Sequence, residues 1–192
     1  MPLAPDAPLD SLVLDEPTRP KAPPIPGATE GQRRAGRHLA MIHAHHLRDL
    51  LGIGQLVELV AAGEAGAQHL PKALQDMELT ENMALTGTLC GRECAVLTMH
   101  HDIEETSMFP HLDRVGDPGI SAVVQRLKDE HEVVHALLLR LQGEAATLAE
   151  APTETAMQAV RATYARLTEV VRSHFGYEET ELQEALGVHG GL

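Results

Sequence analysis

Histidine is the residue type here that could do chemistry, and its spacing says which chemistry. The 192-residue chain holds 12 histidines, about three times ordinary usage. Most fall in four runs: Ile42-His43-Ala44-His45-His46, His100-His101-Asp102-Ile103-Glu104-Glu105, His131-Glu132-Val133-Val134-His135 and His174-Phe175-Gly176-Tyr177-Glu178-Glu179. On an α-helix, a residue four positions further on lies on the same face, one turn up. His100/Glu104 or His101/Glu105, His131/His135 and His174/Glu178 are therefore pairs able to converge on one point. Neutral imidazole and carboxylate together suit iron, manganese or zinc. Burying so many polar groups on a bundle axis is costly unless something compensates them, and a metal centre does.

The elements that must position these groups are helices. Ala and Leu dominate, and aromatics amount to Phe109, Tyr164, Phe175 and Tyr177 with no Trp, a composition that favours helix over sheet. Residues 1–28 carry eight of the 12 prolines and read as a flexible or extended arm outside the core. Such an arm is able to dock on a neighbouring subunit of a homo-oligomer. Residues 29–192 read as the folded domain. Thr29 and Gln32 form a capping box, and Leu39, Ile42, His46, Leu50, Ile53, Val57 and Val60 then make one apolar stripe on a helix ending near Gly63. Thr80 caps a second helix that runs to about Ser107, with Gly87 and Gly91 inside it. Phe109-Pro110 ends that helix and Asp117-Pro118-Gly119 turns the chain. A third helix runs from about Ile120 to Leu148. A fourth runs from Glu154 to Leu186 and stops at Gly187. Long helices without strands predict an all-α, up-and-down four-helix bundle.

Two choices of ligand stay open. On the second helix, His100-x-x-x-Glu104-Glu105-Thr106 repeats as His174-x-x-x-Glu178-Glu179-Thr180, which favours His100 with Glu104. The stripe Cys90, Cys94, Leu97, His101, Glu105, Met108 favours His101 with Glu105. The repeat is given more weight. On the first helix His46 fits the stripe best, and His43 lies three residues away on a neighbouring position; one of them is the expected ligand, while His45 points elsewhere. His38, His69, His111 and His189 read as surface or loop residues, and Cys90 and Cys94 as small core residues.

In this order, His43 or His46, His100/Glu104, His131/His135 and His174/Glu178 resemble the hemerythrin-like (HHE cation-binding) family over about residues 36–186. The stretch His100-His101-Asp102-Ile103-Glu104-Glu105-Thr106-Ser107-Met108-Phe109-Pro110 is similar to that of actinobacterial members. The resemblance implies a non-haem centre of two iron ions, five histidines and two bridging carboxylates, with one iron position left open for dioxygen, nitric oxide or peroxide. In oxygen-carrying members the carboxylate of the fourth helix stands one residue further on, so Glu179 competes with Glu178.

Other classes fit less of the chain. His131-Glu132-x-x-His135 also spells the zincin motif, in which two histidines bind zinc and the Glu is the base. Leu138 and Leu141 stand where the extended form needs Gly and His, and the pairs on the second and fourth helices stay unexplained. A ferritin-like site needs two Glu-x-x-His motifs, and only Glu132–His135 qualifies. A structural bundle without metal is the third alternative. Peroxide turnover would make the chain an oxidoreductase, with Tyr177 as the candidate proton donor. The formal net charge of −13 opposes nucleic-acid binding. No apolar run has the length of a membrane span, and Met1–Glu30 has no signal-peptide pattern. Two cysteines make no disulfide framework, so a reducing cytoplasm is the expected compartment.

Overall fold

The computed structural model describes residues 3–76 and 93–191. The helices among them are α1 (Glu30–Gly36), α2 (His38–Ala61), α3 (His69–Asp76), α4 (Glu93–Ile103), α5 (Phe109–Asp113), α6 (Pro118–Glu150) and α7 (Glu154–His189), with one π-helical turn at Glu104–Met108 between α4 and α5. There is no strand among the described residues. α6 and α7, of 33 and 36 residues, are each roughly 50 Å long at the α-helical rise. α7 packs against α6, α2 and α1, while α4 meets α3 and α6. This is the all-α bundle that the patterning predicts. The start of the second helix, Gly87, Gly91 and Cys90 lie outside the described residues. Cys94 lies on the helical backbone of α4.

The helix ends follow local chemistry. Thr29 and Gln32 form the expected capping box, with Gln32 N–H donating to Thr29 Oγ1 at 3.2 Å and Thr29 N–H to Gln32 Oε1 at 2.8 Å. Asp117 caps α6 by accepting from Gly119 and Ile120 N–H. Three boundaries differ from expectation. The first helix breaks at Arg37, and this lets α1 lie on the C-terminal part of α7. Contact there is so close that a Cβ on Gly36 would stand 1.9 Å from the Gln183 carbonyl oxygen, and one on Gly187 2.0 Å from that of Gln32. Gly187 is thus a crossing point inside α7, and the helix ends at Gly190, whose φ is +77°. Phe109-Pro110 does not stop the second helix either, because Pro110 falls in the first turn of α5, where its missing N–H is harmless.

The core is divided. One apolar cluster contains Leu50, Leu97, Val134, Leu137, Val171 and Phe175, and another contains Leu39, Met108, Leu127, Tyr177 and Leu182. Along α2, α4, α6 and α7 the histidines and acids sit in the gap between these clusters, so the polar layer is sealed by hydrocarbon at both ends.

The proline-rich segment is not an arm outside the core. Leu12 is fully buried in the first cluster, and Ala22 and Ile25 pack on the second. The segment runs along α6 and α7. Arg140 and Tyr177 donate to the carbonyls of Ala7 and Pro20, and Glu181 and Glu184 accept from the N–H groups of Ala22 and Ile25. Prolines suit such a strap because they lose little chain entropy on docking and bring no N–H that needs a partner.

Candidate metal centre

Two groups of donors meet in the polar layer. His43, His100, Glu104 and Glu178 form one, and His101, His131 and His174 the other; within each group the donor atoms lie within 4.8 Å of one another. All seven side chains are buried. Cis ligands on an ion with bonds near 2.1 Å stand roughly 3 Å apart. His43 Nε2 is 3.1 Å from His100 Nε2, which is 3.0 Å from Glu104 Oε1. Glu104 Oε2 lies 3.4 Å from His131 Nε2, so this carboxylate turns one oxygen to each group. Glu178 Oε2 stands 3.4 Å from His43 Nε2 and 3.9 Å from His174 Nε2, between the two groups.

These atoms fit a cation. Nε2 of His101, His131 and His174 and both oxygens of Glu104 and Glu178 are buried without a hydrogen-bond partner. An unmade bond of this kind costs about 1–3 kcal/mol, and a cation among them would engage all of these atoms. The opposite ring nitrogens are already held. His43 Nδ1 is 2.9 Å from Glu179 Oε1, His131 Nδ1 2.7 Å from Glu105 Oε1, and His174 Nδ1 3.1 Å from Glu130 Oε2. An acceptor at Nδ1 fixes the N–H there and leaves the Nε2 lone pair pointing inward. His101 Nδ1 is 3.1 Å from His135 Nε2, and the same tautomer follows when His135 accepts.

The electrostatics are those of crowded buried charge. Burial and the Glu178 carboxylate push Glu104 up to about 8. Burial opposes charge on Glu178 too, but the His43 imidazole 3.4 Å away and the charge of His43 and His174 outweigh it and bring its pKa down to about 2. Burial opposes charge on His43, yet Glu178 and Glu179 raise its pKa to about 9. Burial lowers His100 to about 4, and burial with the neighbouring histidines holds His101 well below its ordinary value.

Four of the expected positions fall into place differently. His43, not His46, joins the donors of the first helix; His46 is buried with its ring centroid 4.9 Å from that of His100, and burial and the neighbouring histidines lower its pKa to about 3. His100 and His101 both join, one in each group, so the two frames of the second helix were not exclusive. Glu104 joins with them, while the exposed Glu105 supports His131 from outside. The π-helical turn starting at Glu104 widens the helix at this point, a feature common at functional sites. His135 is not in the three-histidine group. It is half-buried and stands behind His101, so His131 and His135, paired by the motif, do not fall in one group of donors here, and Glu132 is exposed. His174 and Glu178 both lie in the polar layer, in different donor groups, and Glu179 holds His43. Glu130 and Arg19 were not anticipated. Glu130 carries no motif, and Arg19 reaches it from 111 residues away.

A helical bundle with a buried histidine–carboxylate cation site is the class of protein that fold and donors define. Residues 37–186 match the family model described as the hemerythrin HHE cation binding domain, and the chain belongs to that family. Comparison with curated proteins and with solved structures gave no match.

Proposed function

We propose that the centre holds two iron ions and that the chain is a cytoplasmic protein that binds, senses or stores a small diatomic ligand such as dioxygen or nitric oxide, or reacts with peroxide. The observation that carries this is Glu104, whose two oxygens face two separate groups of imidazoles. A reduced iron pair with one open position would supply ligand binding and electron transfer to the small molecule. His101, His131 and His174 offer three imidazoles to one ion, against two from His43 and His100 to the other. If both carboxylates were shared between two ions, the His43/His100 side would be the one left with a free position. Phe175 stacks on His43 at 3.8 Å between ring centroids, and the stack keeps water off that side. Tyr177 is a poor proton donor to the site. Its hydroxyl donates to the Pro20 carbonyl at 2.8 Å, and burial holds its pKa above the ordinary value.

Anaerobic loading with Fe(II) followed by metal analysis tests the proposal. Two irons per chain, with a visible absorption change on adding dioxygen, nitric oxide or peroxide, are expected. Reversibility then separates binding or sensing from turnover. A single tightly bound zinc that survives replacement of His100 and His174, with Glu132-dependent hydrolysis, would overturn it.

A further inference from the structure

Three of the supporting groups around the centre can share their charge or polarity with water. Glu105 is exposed, and Glu179 and His135 are part-exposed. The fourth, Glu130, cannot, since its side chain is only 3% exposed. A carboxylate that deep needs a fixed counter-charge, and its counter-charge comes from the strap. Arg19 grips Glu130 with a two-pronged fork, Nε to Oε1 at 2.7 Å and Nη2 to Oε2 at 2.9 Å. Its third contact is Nη1 to Ser173 Oγ at 3.0 Å, and its guanidinium lies 4.6 Å over the Tyr177 ring. Glu130 Oε2 is the same atom that accepts from His174 Nδ1.

We propose that Arg19 is a positioning residue of the metal centre: by clamping Glu130 it holds the His174 ring with Nε2 turned toward the cation. The proposal rests on the metal-binding reading above. The fork fixes the plane of the carboxylate, and the carboxylate fixes the tautomer and rotation of the imidazole. Lysine would supply the charge without the fork. Arg19 lies ahead of the span that matches the family, which begins at residue 37, so this part of the centre is built from outside the matched domain. The strap then has a purpose that its apolar contacts alone do not give it.

The experiment uses the full chain labelled with ¹⁵N-histidine, metal-stripped and then titrated with Zn(II), a diamagnetic probe metal. Wild type, Arg19→Ala, Arg19→Lys and Tyr177→Phe are compared for metal affinity and for the His174 ring tautomer by NMR. Tyr177→Phe removes the strap's bond at Pro20 and leaves the fork in place. Expected are a loss of about 10- to 100-fold in affinity for Arg19→Ala, a smaller loss for Arg19→Lys, and wild-type affinity for Tyr177→Phe. The His174 Nδ1–H form should be sole in wild type and mixed in Arg19→Ala. Unchanged affinity and tautomer in Arg19→Ala would overturn the assignment. So would an equal loss in Tyr177→Phe, since docking of the strap rather than the fork would then be what matters. If wild type binds no metal, the metal-binding reading fails on its own, and the tautomer in metal-stripped protein still decides whether Arg19 orients His174.

Discussion

Replacing Glu104 by Gln should change stability in opposite directions with and without metal. The carboxyl is 2% exposed, both its oxygens lack a hydrogen-bond partner, and its pKa stands near 8 against an ordinary 4.5. A carboxyl whose folded pKa lies above its unfolded value favours the folded state fully only below the unfolded pKa. That advantage is lost as the pH rises from about 4.5 to about 8, at roughly 1.4 kcal/mol per unit. At neutral pH the loss is of order 3 kcal/mol, and Glu104→Gln removes it. The amide remains buried without a good partner, which returns about 1–2 kcal/mol of cost. The metal-stripped variant should then be more stable than wild type by about 1–2 kcal/mol, a rise in Tm of about 2–8 °C for a chain of this size. In the metal-loaded protein the amide would be a much poorer cation donor than the carboxylate. A cation at 100-fold above its Kd stabilises by about 2.7 kcal/mol, and most of that is lost with the variant. Thermal melts in chelator and in excess Fe(II) under nitrogen give both numbers. A lower Tm in chelator would refute the buried-charge argument. A gain in both conditions would refute the role of Glu104 as a donor.

Other outcomes follow from the same geometry. His43 has its pKa raised to about 9, so its favourable contribution is complete below the ordinary value of 6.5 and lost as the pH rises through 9; metal-stripped protein should lose stability over that window while metal affinity increases, as melts and titrations at stepped pH will record. His101→Ala should remove one metal equivalent, whereas His135→Ala, which acts only through His101, should lower affinity by about 10- to 100-fold and keep the stoichiometry; equal stoichiometries in metal analysis would count against the division of roles. Gly187→Ala puts a Cβ 2.0 Å from the Gln32 carbonyl oxygen and should cost more than 2 kcal/mol of stability, on the order of other overpacking changes, read by denaturant unfolding, while Gly143→Ala, which meets nothing, should be neutral or stabilising.

What could be read from the sequence was everything with a local period. The apolar stripes, the capping box at Thr29, the long helices and the recurrence of a histidine with a partner four residues on are all repeats within a few turns, and they defined the bundle and the helices on which the candidate donors stand. Tertiary structure decided the choices between neighbours. Adjacent helical residues are only about 100° apart, and the interior of a bundle is wide enough to receive both, so His100 and His101 enter together and a stripe cannot choose between them. The i,i+4 rule places His131 and His135 on one face but says nothing of depth, and His135 stops behind His101. Nor could composition reveal that residues 3–28 form a docked strap, because the pocket for Leu12 and the partner of Arg19 exist only where α6 and α7 lie side by side. A contact 111 residues apart in the chain leaves no local periodicity to read; it is created by packing, and the burial of Glu130 beneath that packing is what makes the arginine necessary.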